Sequence, residues 1–149
     1  MEINGLPLHV LVVHAAVVFG PLAALCAIAY VALPSQRDRL RWVTLVLVLI
    51  ATGAIWTAAL SGEDFLETDR FSGIAGTPLE ELIHDHEELG EKLRLVVSGF
   101  AAVTVLAVWQ HRREGLLRYA LGGLVVAGAI ATLVFVFLTG EAGSKAVWS

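Results

Sequence analysis

Sulfur-containing and charged side chains are scarce in this sequence. It contains one cysteine, Cys26, and one methionine, Met1. A single cysteine excludes an intrachain disulfide and any metal site built from several thiolates, and one methionine argues against a copper(I) site. Charged residues make up 16% of the 149 positions, fewer than a water-soluble protein usually carries. The sequence shows no nucleophile–base pair, phosphate-binding loop or other hydrolytic signature, so no residue is assigned a catalytic role and a binding protein is favoured over an enzyme.

Apolar runs fill most of the remaining sequence. Hydrophobic residues make up 57% of the chain, and the mean hydropathy is +0.76. Runs at 10–33, 42–60, 95–109 and 116–138 approach or exceed the roughly 20 residues that a helix needs to cross a bilayer core. None alternates with period two, which favours helices over a barrel. The sequence therefore predicts an all-α polytopic membrane protein, a single four-helix bundle with helices at about 6–33, 40–61, 78–112 and 116–139 and an acidic loop at 62–77.

The positive charges predict an orientation in the membrane. Six of the ten Lys and Arg residues lie in two short connections, at Arg37, Arg39, Arg41, Arg112, Arg113 and Arg118. By the positive-inside rule these connections are cytoplasmic, which places both termini and the central loop outside. Residues 63–92 contain ten acidic side chains against two basic ones. This acidic face and the net charge of −4 offer no surface for nucleic acid.

A short motif recurs at the end of two apolar runs. Leu-Ser-Gly-Glu occupies residues 60–63, and Leu-Thr-Gly-Glu occupies residues 138–141. Segments 40–63 and 118–141 have equal length and each leads from a basic turn to a glutamate. This predicts a parallel repeat of two helical hairpins about a pseudo-two-fold axis along the membrane normal. Each half then brings a histidine-bearing helix and a glutamate to the outer face.

Counting residues from the basic turns places a layer of histidine and glutamate side chains near the outer boundary. His9 and His14 lie about 140° apart around a helix, and His84 and His86 about 200° apart, so one member of each pair is expected to face outward. His86 continues the apolar stripe of its helix and is preferred to His84, while both His9 and His14 are retained. The predicted cofactor ligands are His14 and His86. The predicted metal ligands are His9, His14, His86, Glu63 and Glu141.

Several functions suit such a layer. Imidazole and carboxylate bind Zn, Cu(II), Fe or Mn, and two histidines from opposing helices can also hold a haem iron in a four-helix bundle. Alternatively, these side chains cap helix ends and hydrogen-bond one another at a wet interface, or they line a proton or small-solute pathway. His111, beside two arginines, is expected to be a solvated interface residue, and Cys26 is expected to pack between helices.

The sequence also resembles a known family. Residues 5–14, Gly-Leu-Pro-Leu-His-Val-Leu-Val-Val-His, are similar to the N-terminal pattern of the bacterial membrane family called domain of unknown function 2231, where a His-Pro pair is followed by Val-His. The Ser/Thr-Gly-Glu motifs and residues 86–90 and 143–148 resemble its actinobacterial branch, so the resemblance covers nearly the whole chain. The family often has proline at Val10 and phenylalanine at Ala15, and related chains often have histidine at Glu141.

The resemblance implies a four-helix protein of the bacterial plasma (inner) membrane with no established activity. Some relatives are fused to Rieske-type or cytochrome-like domains, which implies redox work at the outer face. It also implies a site role for His9, His14 and His86, the positions that match the family's histidines.

The sequence thus predicts a membrane protein whose outer-face His/Glu site binds haem b or a transition metal (Zn, Cu or Fe) and supports electron transfer or the respiratory chain. The expected partners are the lipid bilayer, a respiratory or redox membrane complex and a second copy of the chain. Alternatively, the protein is a non-catalytic accessory subunit that packs its Gly/Ala-rich fourth helix against a larger membrane complex.

Overall fold

Four long helices make up nearly the whole molecule. The structure, a computed structural model, describes residues 2–3, 6–67 and 73–148. Two antiparallel two-residue strands, β1 (Glu2–Ile3) and β2 (Leu6–Pro7), precede the helices, and a 3-10 turn (Pro34–Gln36) joins the first two. The helices are α1 (Leu8–Ala32), α2 (Arg37–Leu66), α3 (Pro78–Trp109) and α4 (Leu116–Trp148). Each is long and apolar enough to cross a membrane, which confirms the predicted all-α membrane bundle.

Two helices extend beyond their predicted bounds. Helix α2 continues to Leu66 and α4 to Trp148, whereas the sequence placed their ends near 61 and 139. The length of an apolar run measures only the part of a helix that faces lipid, and the polar residues that follow continue the same backbone hydrogen bonding. The two Ser/Thr-Gly-Glu motifs therefore lie inside helices, where their residues point in several directions around the axis.

Helix α3 begins at Pro78, where the sequence predicts, and no side chain caps its first turn. Thr77 occupies the N-cap position, but its hydroxyl donates to the carbonyl of Ile74 at 2.6 Å and does not cap the helix. The Glu80 carboxylate instead accepts the backbone N–H of Gly76 at 2.7 Å. From Pro78 the helix runs without interruption to Trp109, as expected, and so carries His86 on the same rigid rod as the apolar span.

The helices form a ring of two hairpins. Helix α1 packs most extensively on α2 and α3 on α4, and α1–α4 and α2–α3 contacts close the ring. We call the end where α1 and α3 begin the histidine end and the opposite end, with the two short connections, the basic end. The core contains many small residues that let helices approach closely, including the fully buried Ala23, Ala24 and Ala51. Gly128 of α4 packs directly on Phe100.

The burial pattern shows the predicted repeat and corrects its register. The buried positions of α1 recur in α3 after a shift of 77 residues (93 − 16): Ala16, Gly20, Ala23, Ala24, Ala27 and Tyr30 become Leu93, Val97, Phe100, Ala101, Thr104 and Ala107. Those of α2 recur in α4 after a shift of 81 (125 − 44): Thr44, Val48, Ala51, Ile55 and Ser61 become Val125, Ala129, Thr132, Val136 and Ala142. The motif-based alignment gave 78 (118 − 40) for this second pair. Its error of three residues is nearly one helical turn, which leaves the same face buried.

His111 lies in a buried position at the basic end, so the expectation of a solvated interface residue was wrong. Its side chain is only 8% exposed, because Tyr30 covers one ring nitrogen and Asp38 binds the other. The arginines beside it in the sequence remain exposed. Neighbours in sequence are a poor guide here because the chain leaves the helix at Gln110 and turns back over the bundle.

Candidate functional site

A cavity of about 440 Å³ lies between the four helices at the histidine end. Most of its wall is apolar, with Val13, Ile55, Phe65, Leu93 and Val136 among the contributing side chains. Polar groups enter it from all four helices; they are His9, His14, Glu63, His86, Glu87, Glu91 and Thr139. We call this space the histidine cavity.

His9 of α1 is held against α2. Its Nδ1 lies 2.8 Å from the carbonyl oxygen of Ala58, and its ring stacks on Phe65 with centroids 6.3 Å apart. A carbonyl only accepts hydrogen bonds, so Nδ1 carries the proton and, in the neutral ring, Nε2 keeps its lone pair. Gly62, one turn after Ala58, makes room for the ring, since a Cβ there would lie 3.1 Å from it.

His86 of α3 is held against α4 in the same way. Its Nδ1 lies 2.9 Å from the carbonyl oxygen of Thr139, which again assigns the proton to Nδ1 and leaves Nε2 with its lone pair. Gly143, one turn after Thr139, makes room for this ring, and a Cβ there would lie 2.8 Å from its Cε1. The two halves of the repeat thus build the same clamp, a carbonyl and a glycine four residues later around one imidazole.

The two clamped imidazoles meet inside the bundle. Their ring centroids are 6.2 Å apart, and their planes lie at 78° to each other. A histidine that binds a metal commonly donates its second ring N–H to a backbone carbonyl, which fixes the tautomer and the ring direction. Both His9 and His86 have this second hydrogen bond already in place. The arrangement can therefore present two nitrogen ligands to a group held between the halves of the repeat.

The structure pairs His86 with His9, whereas the sequence preferred His14. His14 also lines the cavity, but its side chain is exposed and its Nδ1 bonds the carbonyl of Val10 in its own helix at 2.7 Å. Glu63 lines the cavity as an exposed residue, and its carboxylate lies 3.4 Å from the guanidinium of Arg94.

Glu141 does not join the other predicted ligands. It is exposed, it pairs with Lys145 at 2.8 Å on the outside of α4, and it is absent from the cavity wall. The reason is angular, because Glu141 follows Thr139 by two positions and so points about 200° away from it on a helix. Within residues 2–3, 6–67 and 73–148, no three His, Cys, Asp or Glu side chains are close enough to enclose a metal ion. The five predicted ligands are therefore not assembled into one cluster.

Sequence reasoning missed the two glycines and the two carbonyls of the clamps. A seven-residue spacing to a buried position distinguishes His9 from His14, but the sequence alone does not show that this position, Ala16, is buried. His9 precedes the buried Ala16 by seven residues (16 − 9), as His86 precedes the buried Leu93 (93 − 86). Seven residues are about two turns, so each of these histidines continues the buried stripe of its helix.

A family model described as predicted membrane protein, DUF2231, matches residues 5–149. The chain belongs to this family. The match covers all four helices and both clamps and confirms the resemblance seen in the N-terminal pattern. No curated protein and no solved structure matches the chain. Membership in DUF2231 and the four apolar helices together identify a multi-pass membrane protein in contact with the lipid bilayer.

Proposed function

We propose that His9 and His86 bind a haem b in the histidine cavity and that the protein serves electron transfer in the membrane. The observation that carries this proposal is the pair of clamped imidazoles, each fixed through Nδ1 and each with Nε2 left to bind a ligand. A respiratory or redox membrane complex is the partner class that such an activity requires.

The spacing of the rings suits one shared metal. Two imidazoles that shared one metal through nitrogens at about 2 Å would have ring centroids within about 6 Å of each other. The observed separation is 6.2 Å. The two rings come from parallel helices in the two halves of the repeat, which is the way a four-helix bundle places ligands in its core.

Haem fits this donor set better than a bare ion does. The porphyrin would supply four nitrogens, so the protein would need to supply only two further ligands, and two imidazoles are what the clamps provide. A cavity of about 440 Å³ with a largely apolar wall also suits a flat, mostly apolar group. When bound, haem accepts and releases one electron. The protein's own part is to orient the two imidazoles and to surround the group with a largely apolar wall.

A transition-metal ion (Zn, Cu or Fe) is the second candidate, and one observation favours it. Glu63, Glu87 and Glu91 all line the cavity and are exposed, so its mouth carries carboxylates that attract cations. An ion bound by His9 and His86 would complete its coordination with water or with one of these carboxylates.

The cofactor content of the purified wild-type protein tests the proposal. Protein extracted in mild detergent should show haem absorbance corresponding to about one haem per chain, and reduction should shift its bands. Stoichiometric metal without haem absorbance would show that the bound cofactor is a metal ion and not haem. If the protein carries neither, the cofactor proposal fails, and the accessory-subunit function takes its place.

The orientation predicted from the arginines has its own test. With the basic end in the cytoplasm, the histidine cavity opens to the extracytoplasmic side, where both termini also lie. A reporter that is active only in the cytoplasm should be silent when it is fused after Ser149 and active when it is inserted at Ser35, between α1 and α2. The opposite pattern would reverse the orientation and move the cavity to the cytoplasmic side.

A further inference from the structure

A second polar cluster at the basic end connects the two hairpins. Tyr30 of α1 is 1% exposed, and its hydroxyl lies 3.3 Å from the carbonyl oxygen of Ala107 and 3.0 Å from Nδ1 of His111. Nε2 of His111 lies 2.7 Å from the carboxylate of Asp38, at the start of α2. Tyr30 and Asp38 belong to the first hairpin, and Ala107 and His111 to the second.

One arginine contacts this cluster, and further charged residues lie at the same end of the bundle. The guanidinium of Arg37 donates to the Tyr30 hydroxyl oxygen at 3.3 Å and lies over the Tyr30 ring at 5.1 Å. The other charged residues at this end are Arg39 and Arg41 in α2, Arg112, Arg113 and Glu114 after α3, and Arg118 in α4. The Asp38 carboxylate is the acidic group bonded to His111, and it is 87% exposed on its other side. Water can therefore exchange protons with the buried imidazole at Nε2, the ring nitrogen that contacts the exposed Asp38 carboxylate.

We infer that His111, Tyr30 and Asp38 form a proton-sensitive latch between the two hairpins. The inference follows from counting hydrogens. A neutral His111 must keep its proton on Nε2, because the Asp38 carboxylate only accepts, so Nδ1 accepts the Tyr30 hydroxyl proton and the Ala107 carbonyl loses its donor. A charged His111 donates from both nitrogens, and the Tyr30 hydroxyl is then free to donate to Ala107.

Protonation therefore tightens the latch. Ala107 lies in the last turn of α3, where backbone carbonyls lack hydrogen-bond donors from their own helix. The Tyr30 hydroxyl, from α1, provides a donor for the Ala107 carbonyl. The charged imidazole also turns the Asp38 contact into an ion pair shielded on one side by the bundle. The chain of hydrogen bonds ends at a backbone carbonyl, so it acts as a switch and not as a proton wire.

Distance measurements between spin labels test the latch. Ser35→Cys and Glu114→Cys place labels on exposed positions in the two connections, in a Cys26→Ser background. The distance distribution should be narrower at about pH 5 than at about pH 8, the range over which histidines ordinarily titrate. His111→Gln and Tyr30→Phe should each abolish this pH dependence. His84→Gln, an exposed histidine of α3, should leave it unchanged.

A second measurement uses only the wild-type protein, so folding defects in the variants cannot affect it. It is NMR of the ring nitrogens of His111, which reports their protonation. The His111 nitrogens should change from one protonated nitrogen to two over the same pH range in which the label distances narrow. The latch is refuted if His111 holds one protonation state throughout, or if His111→Gln keeps the pH dependence of the wild type.

Discussion

Replacing either clamped histidine should remove the bound cofactor. We expect His9→Ala and His86→Ala each to weaken binding by more than about 100-fold, because loss of a ligand costs more than the 10–100-fold loss that follows from removing its supporting group. Each substitution deletes an Nε2 that nothing else in the clamp replaces. The measurement is haem absorbance, or metal content, per chain after purification in the same detergent.

Two other histidines serve as controls for this experiment. His84 is exposed on α3, only two residues from His86, so His84→Ala should retain the cofactor while exposing any general effect of losing a histidine there. His14→Ala distinguishes the structure from the sequence-based preference. If His14→Ala loses the cofactor and His9→Ala keeps it, the ligand pair is His14 and His86, and the clamp around His9 has another role.

Adding one methyl group to a clamp glycine should disturb the site while leaving the fold intact. A Cβ at Gly143 would lie 2.8 Å from Cε1 of His86, closer than side chains tolerate, so the ring must move off the Thr139 carbonyl. We expect Gly143→Ala to lower cofactor affinity about 10–100-fold. Alanine is a better helix former than glycine by about 1 kcal/mol, so the helix itself should not weaken. Cofactor content and thermal stability are measured on the same samples.

Two other glycine substitutions serve as comparisons for Gly143→Ala. Gly62→Ala, whose Cβ would lie 3.1 Å from the ring of His9, should act in the same direction with a smaller effect. Gly140→Ala lies in the same helix as Gly143, has nothing within 4 Å of its Cβ and should bind the cofactor as the wild type does. Full cofactor content in Gly143→Ala would show that the His86 ring can shift freely, which would contradict the clamp.

The two halves of the repeat are alike at the histidine end and differ at the basic end. Each half contributes a histidine helix and a glycine helix, and the two histidines meet across the pseudo-two-fold axis. At the opposite end the halves differ, because Tyr30 corresponds to Ala107 under the shift of 77 residues (107 − 30). A symmetric end holds the clamped pair, and an asymmetric end holds the latch. The two ends therefore connect the same hairpins through different chemistry.

The sequence by itself determined the number of helices, their membrane character and the end at which His9 and His86 lie. These features depend on local physics, since an apolar run of about 20 residues has few stable forms except a spanning helix. The spacing of His86 from Leu93 and Val97 also identified it as inward-facing, because helical periodicity acts over a few turns. The family resemblance rested on the same short segments.

The tertiary structure alone decided which groups meet. His9 and His14 are equally suitable by residue type, and only the packing of α1 on α2 brings His9 to the Ala58 carbonyl and Gly62. The packing of α4 on α3 turns Thr139 toward His86, which leaves Glu141 facing outward beside Lys145. His111 is buried because Tyr30 and Asp38, more than 70 positions earlier in the chain (111 − 38 = 73), close over it. Contacts between residues this far apart depend on the rotation of each helix about its axis, and that rotation is fixed only when the side chains of neighbouring helices pack together.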